Sequence, residues 1–188
     1  MSDSKQSVGF PYNQGQTNDG WSNEDEATAT CACGKVQMVI PLKAPGLQGT
    51  FVCHCTDCRK VSASMFATNF TSLDSHTRFV RGEDNLTVFS QSSTTTTGET
   101  MANSFCKTCG TLMFRAGTIA PGTRFMRGGI IDDHSLHDTM LKPKVEIFSE
   151  HRAAWVSPVE GAEQGKGMGP FVKDKKGDEK KEEGQGKL

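Results

Sequence analysis

Seven cysteines stand in three tight groups: Cys31-Ala32-Cys33-Gly34, Cys53-His54-Cys55-Thr56-Asp57-Cys58 and Cys106-Lys107-Thr108-Cys109-Gly110. Two thiolates one or two residues apart can turn toward one cation, each sulfur about 2.3 Å from it. Glycine after such a pair permits the tight backbone turn that aims nearby N–H groups at the sulfurs. The first and third groups share this form, and together they supply the closed four-thiolate set of a structural zinc. The middle group offers three thiols in six residues and leaves a fourth position without a sequence-local ligand, the arrangement of a catalytic zinc. A structural role for the middle group stands beside this, with His54 or a distant His or Asp as fourth ligand. Four and three account for every thiol. An odd number argues against a disulfide framework, and thioredoxin-type redox chemistry needs a βαβ context that the chain lacks.

Other ionisable residues gather around this pattern. Three thiolates on one Zn²⁺ leave one net negative charge, so the pocket needs compensating cations. Arg59 and Lys60 follow Cys58 directly and are candidates to steady an anionic substrate carboxylate; the plain alternative is a solvated pair at the start of a short helix. His54, between two ligands, is expected to point away from their metal. His134 and His137 lie at i, i+3 in DDHSLHD, where a polar surface turn is favoured over a third metal site. Glu146 sits in a strand-like run, as a pocket acid or an outward-facing residue.

The elements that must position these groups are short. Strand-like runs cover Val36–Ile40, Thr50–Val52, Ser64–Phe70, Arg78–Val80, Leu86–Phe89, Thr111–Phe114, Arg124–Arg127 and Val145–Phe148, punctuated by glycines. No helical period is sustained over a dozen residues. One or two helical turns are expected after Asp57 and another after Asp132 or Asp133 as N-cap. The class is therefore mainly β, with short antiparallel strands and one or two short helices. Residues 1–26 read as an irregular N-terminal arm, 27–171 as the zinc-binding domain with a loop-rich C-terminal extension, and 172–188 as a disordered tail. From Lys173 to Leu188, 11 of 16 residues are charged, too few apolar groups to offset the entropy of ordering. The Thr94–Thr97 run reads as an exposed hairpin loop.

Composition narrows the function. The 188 residues carry 21 Lys+Arg against 22 Asp+Glu, which excludes a strongly basic nucleic-acid binder and a polybasic membrane-surface protein. Apolar stretches fall far short of the roughly 20 residues that cross a bilayer. The opening MSDSKQSVGF has neither a basic n-region nor an apolar h-region, so no secretory signal and a cytoplasmic location are expected.

The order Cys-x-Cys-Gly, Cys-His-Cys-x-x-Cys-Arg-Lys, Phe-Cys-x-x-Cys-Gly resembles the glutathione-dependent formaldehyde-activating enzyme family, which shares its domain with centromere-protein-V-like proteins. The resemblance runs from about Trp21 to about Trp155 and includes Arg81-Gly82 and Pro143-x-x-Glu146-Ile147-Phe148. The opening DGWSNEDEATATCACG and the ending Arg152-x-x-Trp155 look like the fungal branch. The resemblance implies a β-tent fold and two zinc ions per chain. Cys31, Cys33, Cys106 and Cys109 would hold the structural ion; Cys53, Cys55 and Cys58 would hold the catalytic one. The implied activity is a carbon–sulfur lyase reaction joining glutathione and formaldehyde into S-hydroxymethylglutathione. The partner would be a small thiol such as glutathione or its adduct, with neither nucleic acid nor membrane. Two departures bear on the substrate: Glu146 stands where family members often carry His, and Met101-Ala102-Asn103-Ser104 lacks an Arg that many carry before Phe-Cys. A rival reading is a non-catalytic zinc module that binds a protein partner or chromatin.

Overall fold

Alternating polar and apolar runs become paired strands in the computed structural model of the chain, which describes residues 6–7, 16–95 and 97–171. One sheet has five strands in the order β1-β2-β3-β4-β7. These are β1 (Gln6–Ser7), β2 (Trp21–Ser22), β3 (Glu26–Thr30), β4 (Gln37–Pro41) and β7 (Arg78–Arg81). The other has eight: β5 (Leu47–Cys53), β6 (Ala67–Leu73), β8 (Leu86–Gln91), β9 (Met101–Cys106), β10 (Leu112–Gly117), β11 (Thr123–Arg127), β12 (Val145–Ile147) and β13 (Glu163–Gln164). Its order is β13-β12-β5-β6-β11-β10-β9-β8. The single α-helix among the described residues, α1 (Thr56–Ser62), follows β5 directly. The tail of residues 172–188, and residues 1–5 and 8–15 of the arm, lie outside the described residues.

The mainly β class holds, with one correction: the pairing is mixed. β12 runs parallel to both β5 and β13. Same-direction neighbours require long crossovers rather than hairpins, and the irregular stretches on both sides of β12 supply them. The expected turn after Asp133 is a 3₁₀ helix, His134–Asp138, with the Asp133 carboxylate accepting from the Ser135 N–H at 3.0 Å.

Two strands lack the usual signal. β3 reads Glu-Ala-Thr-Ala-Thr and packs by smallness: Ala27 and Ala29 are fully buried in the core. The hydroxyls beside them are satisfied, Thr28 donating to the Trp21 carbonyl at 3.1 Å and Thr30 to Asp132 at 2.6 Å. β9 buries Asn103 and Ser104, and the Asn103 amide donates to the Phe89 carbonyl at 3.1 Å.

The larger core lies between the sheets. Ala27, Met38 and Ile40 of one sheet meet Phe70, Met113 and Met126 of the other. Each large apolar side chain buried there contributes about 1.5–3 kcal/mol. A smaller cluster of Phe51, Ala67, Ile147 and Phe148 packs around Cys53 and Cys58 beside α1. No helix among the described residues is long and apolar enough to cross a membrane.

Candidate functional site

The thiols assemble as the spacing predicts. Cys31 and Cys33 occupy the turn from β3 to β4, where Gly34 takes φ +74° and donates its N–H to the Cys31 carbonyl at 2.9 Å. A side chain at Gly34 would also run into Thr17, 2.2 Å from the position its Cβ would take. Cys106 and Cys109 occupy the turn from β9 to β10, closed by the Gly110 N–H on the Cys106 carbonyl at 2.8 Å. The two turns belong to different sheets. Even so, Sγ of Cys31 and Cys33 are 3.5 Å apart, Sγ of Cys33 and Cys106 are 3.7 Å apart, and all four sulfurs lie within 4.8 Å of one another. A tetrahedron with sulfur at about 2.3 Å from zinc has edges of about 3.8 Å. The donor set therefore fits a zinc ion that would staple the sheets together.

The second cluster comes from one strand–turn–helix segment. Cys53 ends β5, Cys55 is the N-cap of α1, and Cys58 lies in its first turn. The Cys58 N–H donates to Cys55 Sγ at 3.3 Å, a thiol serving as the capping acceptor. The turn is pinned by the His54 N–H on the Ile147 carbonyl at 3.1 Å. The three sulfurs lie within 4.8 Å of one another, and no His, Asp or Glu among the described residues completes the group, so His54 does not serve as a fourth ligand here. All seven cysteines are free of disulfides.

His54 faces away from the cluster, as expected, into a buried ionic network. Its Nε2 lies 2.9 Å from Glu146 Oε2, with both side chains 1% exposed. Glu146 also accepts from Arg152 Nη1 at 2.8 Å and from the Val159 N–H. Burial pushes the Glu146 carboxyl up, but the Val159 N–H, His54 and Arg152 outweigh it and hold the group below its ordinary value. Glu146 is thus neither a pocket acid nor an outward-facing strand residue. It ties the Cys53–Cys55 turn to the segment around Val159.

A cavity of about 450 Å³ opens beside the three-thiol cluster and is lined by Cys53, Cys55 and Cys58 themselves. Phe51, Phe125, Ile147 and Phe148 form an apolar wall, and Thr94, Thr95, Thr97 and Glu99 a polar one. The loop expected after β8 therefore faces a cavity. Arg59 and Lys60 are not brought to it: Arg59 donates to Met65 Sδ at 3.6 Å and to the His151 carbonyl at 3.4 Å, and Lys60 is exposed.

The cations at the site are two arginines that sequence reasoning missed. Arg115 on β10 and Arg127 on β11 are each only 6% exposed. Arg115 Nη1 donates to Cys58 Sγ at 3.3 Å, and its Nη2 pairs with Asp57. Asp57 in turn accepts from Gln91 at 3.1 Å and from Thr94 at 3.0 Å. Arg127 Nη1 donates to Asn69 Oδ1 at 2.5 Å. Hydrogen bonds from Cys53 and Cys55, with the charges of Arg127 and Arg115, hold the Cys58 thiol well below its ordinary value. Arg115 had a sequence signal, a lone charge within an apolar strand run (Leu-Met-Phe-Arg); Arg127 shares its run with Arg124 and had none of its own.

His134 and His137 pack with ring centroids 6.1 Å apart and line a separate cavity of about 380 Å³. No third ligand joins them among the described residues.

Comparison with known proteins adds three findings. No curated protein matches the chain. A crystal structure of a Rhodobacter sphaeroides protein is similar over 59% of this chain and 93% of its own, with 24% identity and a TM-score of 0.44. Residues 26–151 match the family model described as glutathione-dependent formaldehyde-activating enzyme, and the chain belongs to that family.

Proposed function

We propose that the protein is a zinc-dependent carbon–sulfur lyase acting on adducts of a small thiol of the glutathione type, in the manner of S-hydroxymethylglutathione synthase. One observation carries this: the three-thiol cluster lines a cavity of substrate size, and the four other cysteines do not line it. In the synthetic direction the S–H bond and the C=O π bond are broken, and a C–S and an O–H bond form. A zinc ion held by Cys53, Cys55 and Cys58 would supply a fourth coordination position that lowers a thiol's pKa or polarises an aldehyde oxygen.

The chain's own residues prepare that chemistry. Arg115 and Arg127 would balance the surplus negative charge of three metal-bound thiolates, Arg115 through its hydrogen bond to Cys58 Sγ. Asp57 holds the Arg115 fork in place, and Gln91 and Thr94 hold Asp57. The Phe51, Phe125 and Phe148 rings exclude water from one side of the cavity, which strengthens the electrostatic contacts inside. The threonine hydroxyls opposite offer hydrogen bonds to a polar, peptide-like substrate. Arg59 and Lys60 are turned elsewhere, and Arg115 lines the cavity with both terminal nitrogens already bonded to Cys58 and Asp57.

We assign two zinc ions per chain, with Cys31, Cys33, Cys106 and Cys109 as the structural set. Residues 27–171 form the catalytic domain, with 1–26 as an arm and 172–188 as a charged tail. From the resemblance of its opening and closing motifs we read the chain as a fungal-branch member of its family. Seven reduced thiols suit the cytoplasm.

Zinc content and adduct formation from glutathione and a panel of aldehydes test this together. The expected result is two zincs and turnover for the unaltered chain. Cys55→Ala should stay folded with one zinc and no turnover, whereas Cys106→Ala should fail to fold, because structural zinc binding is folding free energy. Full turnover by Cys55→Ala would overturn the assignment. A folded two-zinc protein inert toward every adduct would favour a binding module.

A further inference from the structure

The cavity at the three-thiol cluster has two unlike sides, and strand register fixes which lies where. Residues two apart on a strand share a face, so Phe51 stands on the face of β5 that carries Cys53, and Ile147 of β12 lies directly across from Cys53. The Phe125 ring meets the Phe51 ring edge-on, with centroids 6.3 Å apart. Phe148 completes this apolar side at φ 54°, a conformation that a bulky side chain rarely takes. It is held there by its own N–H on the Gly167 carbonyl at 2.7 Å and by the Ser149 N–H on the Gly165 carbonyl at 3.1 Å. Strain of this kind concentrates where a side chain has a ligand to meet. The side beyond Cys58 is polar, a hydrogen-bonded chain of Arg115, Asp57 and Thr94.

We propose that the apolar side is a subsite for the carbonyl partner's own substituent, so that the preferred substrate is the adduct of an aldehyde bearing an alkyl or aryl group rather than of formaldehyde. This rests on the lyase reading above and names its substrate class. In such an adduct the thiol sulfur and the hydroxyl oxygen share one carbon, and that carbon reacts beside the thiol cluster. The bonds made and broken are those given above, with an apolar group in place of one aldehyde hydrogen. A thiol of the glutathione type is polar along its chain and is matched by the side that carries Asp57 and the threonines. The remaining substituent on the reacting carbon is left to Ile147 and the three rings, side chains with no hydrogen-bonding group. In the formaldehyde adduct that substituent is hydrogen, which leaves the rings facing water. An alkyl or aryl group displaces the water, and each methylene so buried strengthens binding about fourfold.

Two measurements on the zinc-loaded full chain test this. One is kcat/KM with glutathione and straight-chain aldehydes from ethanal to hexanal, which differ in length far more than in carbonyl reactivity. The other is calorimetric binding of S-methyl-, S-butyl- and S-hexylglutathione, stable thioethers that need no turnover. Both series are expected to rise about fourfold per methylene over the first few. Phe125→Ala should flatten both rises, and so, separately, should Phe148→Gly, which suits the left-handed backbone; zinc content confirms that each variant is folded. Thioether affinity that does not rise with alkyl length overturns the proposal, and turnover of formaldehyde in that case leaves the lyase reading standing. A rise that both variants leave unchanged overturns it as well. Rising affinity that both variants flatten, with no turnover of any aldehyde, supports the apolar subsite and refutes the lyase reading instead.

Discussion

Arg115→Met removes one guanidinium from beside the three-thiol cluster while keeping much of the side-chain length and apolar bulk. Two interactions disappear: the 3.3 Å hydrogen bond from Nη1 to Cys58 Sγ, and the pairing of Nη2 with Asp57. Asp57 keeps its bonds from Gln91 and Thr94, at 3.1 and 3.0 Å, and stands partly open to the cavity, so the local fold should survive. The bond to Cys58 is the one felt at the metal. A hydrogen bond to a charged group contributes about 1.5–3 kcal/mol, and Arg127 remains to share the load. The lower half of that range applies, about tenfold in binding and short of a hundredfold. Loss of an outer partner of a metal ligand falls in the same range, about 10–100-fold. Competition against a graded series of chelators, read as zinc released per chain, should show one ion released more easily and the other unchanged. Turnover with a thiol adduct should fall with the easily lost ion. Arg115→Lys keeps the charge but not the planar fork that reaches Cys58 and Asp57 together, so it should restore only part of the affinity. Unchanged release of both ions, or equal weakening of both, would refute the charge-balance role of Arg115.

Two further substitutions probe the frame around the site. Glu146→Gln replaces an acceptor that faces His54 and Arg152 with a group bearing N–H donors, inside a network that is 1% exposed at both His54 and Glu146. Breaking a buried ionic contact from one side costs about 3–5 kcal/mol, so the urea midpoint should fall sharply; an unchanged midpoint would show that the network contributes little. His137 is held below the ordinary imidazole value, first by burial and then by the neighbouring His134. The unfolded chain therefore takes up the proton more readily, and the stability this residue contributes is present above about pH 6.5 and lost as the pH falls through its lower folded value. His137→Asn should flatten the acid side of the stability curve below about pH 6.5, measured as urea midpoints. Parallel curves for the two proteins would exclude His137 as a source of that slope.

The two cysteine clusters were legible because their geometry is local. A thiol pair with glycine behind it specifies its own turn, and a strand–turn–helix segment places three sulfurs together within six residues. Strands were legible where large apolar residues recur, as in Gln37–Pro41 and Leu112–Gly117. They were silent where a core is filled by alanine or by bonded polar groups, as in Glu26–Thr30 and Met101–Cys106. The parallel placement of Val145–Ile147 depends on crossovers with no period of their own. The cations show most clearly why proximity in sequence misleads. Arg59 and Lys60 adjoin Cys58 in the chain, but successive helix residues point about 100° apart, so the helix that aims Cys58 at the cavity aims its successors elsewhere. Arg115 and Arg127 are 57 and 69 residues away, on adjacent strands of the sheet that backs the cluster, and strand alternation turns them inward. A charged residue inside an apolar strand run requires a buried counter-charge, and three thiolates are the largest concentration of negative charge within reach. That requirement links a residue with no motif to a site with a strong one, and it makes Arg115 and Arg127, rather than the basic pair beside the ligands, the residues whose loss the metal should feel.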